Sequence, residues 1–213
     1  MTTVLAAASL GVDEPAVDLP GVPGFIESTF NPLVYGVARP CLRHTAMIGA
    51  RTAMVLGSLM GDTTTADLHS RRLIDGKVHN PLLFMQATAN SVLGYLAAEF
   101  GVTGPALSIS NPGDPVAPLL DTAELLLAEG ELDHVLVIGV ELARAARSAA
   151  AWQELTDFTL GGTGPPDQDF AVALLLRAGG PSLPADRPGN RTSVRDLLRV
   201  ADGHLYQPHL GAS

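Results

Sequence analysis

The chain contains one cysteine, Cys41, so no disulfide can close within it and no cysteine cluster can hold zinc. That scarcity fits a reducing cytoplasm. No apolar stretch reaches the ~18 to 20 uninterrupted residues of a membrane-crossing helix. The run Val4-Leu5-Ala6-Ala7-Ala8-Ser9-Leu10 lacks the basic flank of a secretory leader and reads as a buried strand. Positive charge is sparse as well: 13 Lys and Arg stand against 22 Asp and Glu, for a net charge of −9 and a pI near 5.0. A surface of that sign repels nucleic acid and anionic membrane, which excludes both as general partners. Between Val78 and Ala143 there is no Lys or Arg at all, while eight carboxylates stand among mainly apolar positions. Such a stretch is core or interface with an acidic rim.

Signature motifs are missing too. There is no Walker loop, dinucleotide fingerprint, metalloprotease helix or zinc-finger spacing, so no cofactor and no metal is expected. Gly57-Ser58-Leu59-Met60-Gly61 places its serine one position early for a hydrolase elbow. His204 and His209 have no third ligand to join them, and Cys41 has no neighbour that would activate it, so the first pair reads as solvated tail and the thiol as inert packing.

What is present is core. Of 213 residues 46% are apolar and 16% charged, enough to bury most of the chain's surface and to exclude disorder. Five prolines between residues 12 and 40 predict a meandering connection without a long element. A short helix is predicted over Arg43–Ala50, a buried strand over Arg51–Ser58 and a helix over Thr63–Ile74 capped by one of Thr63, Thr64 or Thr65. Helical spacing continues over Phe84–Phe100 and stops at Gly101. A short strand over Ala106–Ser110 leads through Asn111-Pro112-Gly113-Asp114-Pro115 into a helix ending near Ala128, with Pro115 in its first turn. Strands follow at His134–Val140 and Phe170–Leu176, with helix or loop over Trp152–Leu160 and a turn over Gly161–Asp167 between them. Alternation of this kind predicts an α/β fold with a mainly parallel central sheet and helices on both faces. Residues 1–178 form the expected domain, and 179–213 a linker, a short helix over Ser193–Val200 and a loose tail.

The run from His79 to Glu141 resembles the N-terminal half of the β-ketoacyl-acyl carrier protein synthases, members of the thiolase-like fold. The residues that carry the likeness are Asn90-Ser91-Val92-Leu93-Gly94, then Gly101-Val102-Thr103-Gly104-Pro105 leading into Ala106-Leu107-Ser108-Ile109-Ser110. After them come Leu120–Gly130 and Asp133–Glu141, with Val55–Ser58 upstream and Phe170–Leu176 downstream. The resemblance implies half of a thiolase-like fold. It also implies a lost nucleophile, because Gly113 occupies the family's cysteine position and cannot hold an acyl chain. Residues 177–213 are too few for the family's second half, which supplies two histidines to the reaction.

What the resemblance implies is therefore a truncated, non-condensing protein, a pseudoenzyme with the role of a chain length factor. It would act as a homodimer, or as a heterodimer with a complete ketosynthase, in type II polyketide or fatty-acid-like polyene biosynthesis. The Ala106–Ser110 strand would join the two subunits, the face left bare by the missing half would add to the contact, and Met54, Met60, Phe84, Met85 and Phe100 would line a tunnel. An acyl carrier protein would dock on Arg39, Arg43, Arg71, Arg72 and Lys77. The alternative is an enzyme that dehydrates, isomerises or cyclises a carrier-bound chain, with Asp62, His79, Asn80, Asn111 and Asp114 as its candidate polar groups; each of these is also an ordinary turn or cap residue.

Overall fold

The computed structural model describes residues 2–12, 19–44, 49, 51–77, 82–143, 146–158, 167–179, 193–201 and 205–206. In chain order the elements are β1 (Thr2–Val12), α1 (Phe30–Arg43), β2 (Thr52–Gly57), α2 (Thr63–Ile74), α3 (Leu82–Gln86), α4 (Ala89–Phe100) and β3 (Ala106–Ile109). They continue with α5 (Ala117–Ala128), β4 (His134–Glu141), α6 (Ala146–Phe158), β5 (Asp169–Ala178), a 3-10 helix (Val194–Arg199) and β6 (Leu205–Tyr206). The strands form one sheet in the order β3-β2-β4-β5-β1-β6. β2 pairs in parallel with β3 and β4, β6 in parallel with β1, and β5 runs antiparallel to both β4 and β1. β5 is thus the one strand of the six that opposes the rest, and the sheet is mixed but mainly parallel.

Strand alternation divides the core in two. Met54, Leu56, Leu136, Ile138, Ala173 and Leu175 face α1 and α4, whereas Val55, Val135, Val137, Val172 and Leu174 face α5 and the 3-10 helix. With both faces covered, the strands are apolar on both sides, which is why β2 and β4 read as continuous hydrophobic runs. Two glycines let layers touch. A Cβ at Gly139 would stand 2.7 Å from the Val194 Cβ, and one at Gly104 would stand 2.2 Å from the Thr52 carbonyl oxygen. The first seats the 3-10 helix on β4 and the second lets the chain cross the start of β2 on its way into β3.

Several expectations are corrected. The proline-rich stretch does contain a long element, the 14-residue α1. Pro32 lies in its first turn, where an amide donor has no helical partner anyway, and the bond lost at Pro40 is offset by burial of Phe30, Leu33, Val34, Val37 and Cys41. Arg43 ends that helix rather than starting another, and residues 45–48 and 50 lie outside the described residues. Phe84–Phe100 is broken into α3 and α4 at Thr88, whose backbone is extended and whose hydroxyl donates to the Met85 carbonyl at 2.9 Å. Asp62, not a threonine, caps α2, and Pro118 rather than Pro115 sits in the first turn of α5. α6 starts at Ala146, earlier than Trp152. The tail is not uniformly loose, since Leu205–Tyr206 adds the edge strand β6 beside β1.

The 3-10 helix covers part of the α5 side of the sheet. Val194, Leu197 and Ala201 are buried against β4 and β5, and the Arg195 guanidinium lies 4.8 Å over the Phe170 ring.

Candidate functional site

In open parallel sheets the polar loops that bind or react gather at the carboxyl ends of the strands. Here those ends belong to β2, β3 and β4. Backbone pairing holds them in register up to Gly57, which lies beside Ile109 on one side and Gly139 on the other. Beyond this row stand the loops Ser58–Asp62, Ser110–Val116 and Leu142–Ala143.

The structure brings three of the sequence-chosen groups to these loops and gives each a bonding role. Asp62 is 1% exposed; its carboxylate accepts from the Thr65 N–H at 3.0 Å, the Thr65 hydroxyl at 2.7 Å and the Asn31 amide at 3.1 Å. It therefore caps α2 and ties that helix to α1. Asn111 Oδ1 accepts from the Gly113 N–H at 2.8 Å, and Asp114 Oδ1 accepts from the Val116 and Ala117 N–H groups at 2.8 and 2.9 Å, closing the entry to α5. Gly113 lies exposed in that turn with ordinary φ, and a Cβ there would meet only Asn111 Oδ1, at 3.3 Å. His79 and Asn80 lie outside the described residues.

One residue at this edge was not singled out by its sequence. Glu141, the last residue of β4, is 3% exposed, and its Oε1 accepts from the Leu59 N–H at 2.9 Å. Burial pushes its carboxyl up to about 8, against the lowering influence of that N–H, so the acid is mostly neutral at pH 7. A carboxylate closing the six-residue apolar run Val135–Val140 was the available signal. Asn31 was also missed; it is fully buried in α1 and bonds Ser28 Oγ and Asp62, and nothing in the local pattern marks it.

The tunnel set does not converge. Met54 is fully buried in the core on the α1 side and Phe100 packs against the same cluster, whereas Phe84 and Met85 are 66% and 63% exposed on α3. With Leu73, Ile74 and Leu82 they form an apolar surface on α2 and α3, where the His69 and Phe84 rings lie 6.2 Å apart. The five basic residues also separate. Arg72 pairs with Glu27 at 3.1 Å just before α1, while Arg39 and Arg43 sit toward the other end of that helix, which is about 20 Å long. Arg39 lies over the Tyr35 ring at 5.9 Å. Burial, reinforced by Glu99, raises the Tyr35 phenol, and burial pushes the Cys41 thiol up to about 12, which leaves it inert. Among the described residues no cluster of His, Cys, Asp or Glu could hold a metal ion, and no helix is long and apolar enough to cross a membrane.

Neither a protein-family model nor a curated protein matches the chain. Solved structures do. A ketosynthase in complex with its chain length factor from Xenorhabdus doucetiae aligns with 78% of this chain at 23% identity and TM-score 0.59, over 64% of its own matched chain. The ishigamide ketosynthase/chain length factor aligns with 79% at 20% identity and TM-score 0.58, over 51% of its own chain. A type II polyketide synthase acyl-carrier protein in complex with its ketosynthase, bound to the hexaketide, aligns with 83% at 13% identity and TM-score 0.63, over 62% of its own chain. The present chain thus spans between about half and two thirds of the length of these structures. At such identities the likeness is one of fold: a mixed α/β sheet covered on both faces, the thiolase-like fold of these ketosynthase structures.

Proposed function

We propose that this chain is a non-condensing partner of a ketosynthase, working in the manner of a chain length factor in type II polyketide or polyene-like biosynthesis in the cytoplasm. The observation that carries the reading is the free edge of β3 beside a turn that holds glycine where the resemblance places the nucleophile. Among the described residues β3 pairs only with β2, and Ala106, Leu107 and Ser108 are exposed. The carbonyls of Pro105 and Ile109 accept from Met54 and Ser58 N–H groups at 2.8 and 3.2 Å, so the odd-numbered residues address β2. The N–H and C=O of Ala106, Ser108 and Ser110 therefore point outward, available to a strand of a second subunit. Asp62, Asn111 and Asp114 already serve as caps and turn closures, which favours a partner over an enzyme acting through them. A carrier protein, acidic as a class, would meet Arg71, Arg72 and Lys77 beside the exposed Phe84 and Met85.

Co-expression with a ketosynthase taken from a chain length factor pair tests this. The expected result is a stable heterodimer that is lost with Ser108→Pro, because proline removes an outward N–H and leaves the β2 ladder intact. Losing the hydrogen bond that this N–H would donate leaves the partner strand's carbonyl unsatisfied and weakens binding by about 1 to 3 kcal/mol, roughly 5- to 150-fold. A chain that stays monomeric at micromolar concentration with the ketosynthase present would refute the reading.

A further inference from the structure

The backbone ladder joining β4, β2 and β3 ends at the Ser58 N–H, which donates to the Ile109 carbonyl. One residue further on, side chains take over. Glu141 Oε1, at the end of β4, accepts the Leu59 N–H at 2.9 Å, and the Leu59 carbonyl accepts the Ser110 hydroxyl, at the end of β3, at 2.8 Å. Leu59 is thus held from both sides, and the two bonds span the same three strands that the ladder spans. Ser110 is exposed and β3 is only four residues long, so few other contacts fix that end of the strand. The Glu141 end is anchored in the core.

We propose that Glu141 is a positioning residue, which through Leu59 and the Ser110 hydroxyl sets the carboxyl end of β3 and the turn that follows it. The carboxyl acts as a neutral hydrogen-bond acceptor on the sheet face that carries Gly139 and Val137. Charged groups on the surrounding elements are otherwise engaged. Asp62 in the β2 loop is bonded to Thr65 and Asn31, Asp169 on β5 accepts the Ala143 N–H at 2.8 Å, and Arg195 of the 3-10 helix pairs with Asp167 at 3.1 Å over Phe170. Arg147 of α6 pairs with Asp67 at 2.6 Å. Among the described residues no cation bonds to Glu141, and Arg144 lies outside them; ionisation of the buried carboxyl would draw its side chain toward water and release Leu59.

Amide hydrogen exchange on the isolated chain, corrected for the intrinsic rate, reads this directly. In the unsubstituted chain, protection of the Leu59 amide and of the inward Leu107 and Ile109 amides should fall by up to about tenfold between neutral pH and a pH well above the Glu141 midpoint. Protection in β5 should hold, marking the change as local. Glu141→Gln, which keeps a neutral acceptor, should hold Leu59 equally at both pH values, and Glu141→Leu should leave it unprotected at both. Ser110→Ala should loosen the β3 amides while Leu59 stays protected, a variant that leaves the core untouched. Wild-type protection in Glu141→Leu, or the same pH-dependent loss in Glu141→Gln, would overturn the proposal. Because no partner is present in the experiment, failure of the clamp leaves the heterodimer reading standing, and the reverse also holds.

Discussion

Glu141 makes the stability of this fold decline as the solution becomes more alkaline. Its carboxyl titrates at about 8 in the folded chain against 4.5 as an ordinary group. Between those values the folded state keeps a proton that the unfolded state has released, so unfolding becomes easier as pH rises, by at most about 1.4 kcal/mol per pH unit. The contribution is complete below the unfolded value and lost once pH has passed the folded one. From about pH 6 to about pH 8 the loss integrates to about 2 kcal/mol, a large part of the stability of a domain this size. Urea unfolding at stepped pH measures it: with a slope of about 2 kcal/mol per molar, the midpoint should drop by about 1 M across that window. His134, at the opposite end of β4, has its pKa lowered by burial and so acts with the opposite sign below its ordinary value of 6.5. Glu141→Gln keeps His134 and removes the acid, so the difference between the two chains isolates Glu141. A Gln variant whose midpoint falls with pH as steeply as that of the parent would refute the reasoning.

Four other substitutions have expected outcomes. Gly104→Ala places a Cβ 2.2 Å from the Thr52 carbonyl oxygen, which only a backbone shift can relieve, and should cost about 3 kcal/mol in urea unfolding. Gly94→Ala, in the middle of α4 with nothing within 4 Å, should instead stabilise by about 0.5 to 1 kcal/mol; equal effects at the two glycines would show the close approach to be unreal. Asp62→Ala should cost about 2 to 4 kcal/mol, because the Asn31 amide and the Thr65 hydroxyl lose a buried partner along with the cap; a loss under about 0.5 kcal/mol would contradict that geometry. Gly113→Cys should fold normally and yield no ketoacyl product from this chain alone with acyl and malonyl carriers supplied, since a lone thiol supplies only an acyl anchor; product detected by mass spectrometry would reverse the assignment.

The sequence determined by itself whatever depends on periodicity and on residues that punctuate it. The apolar runs of β2, β4 and β5 can exist only in a sheet covered on both faces, α2 lies where its spacing puts it, and Gly101 ends α4 in the left-handed region at φ 67°. The order and spacing of those elements were enough to mark the ketosynthase-like fold. Tertiary structure decided what depends on distant partners. α1 forms through two prolines because one apolar face is buried against β1, β4 and β5, a gain no local rule records. Arg39 and Arg43 part from Arg72 because they lie toward the far end of α1, whereas Arg72 reaches Glu27 just before its start. Asp62 could be read from the sequence as a reactive group or as a turn residue; in the structure it caps α2, and its partners Asn31 and Thr65 come together when α1 and α2 pack. Glu141 counted in the sequence as one more acidic residue; enclosed beside β5 with the Leu59 N–H as partner, it holds its proton near neutrality, because burial disfavours the charged form more than that one N–H favours it.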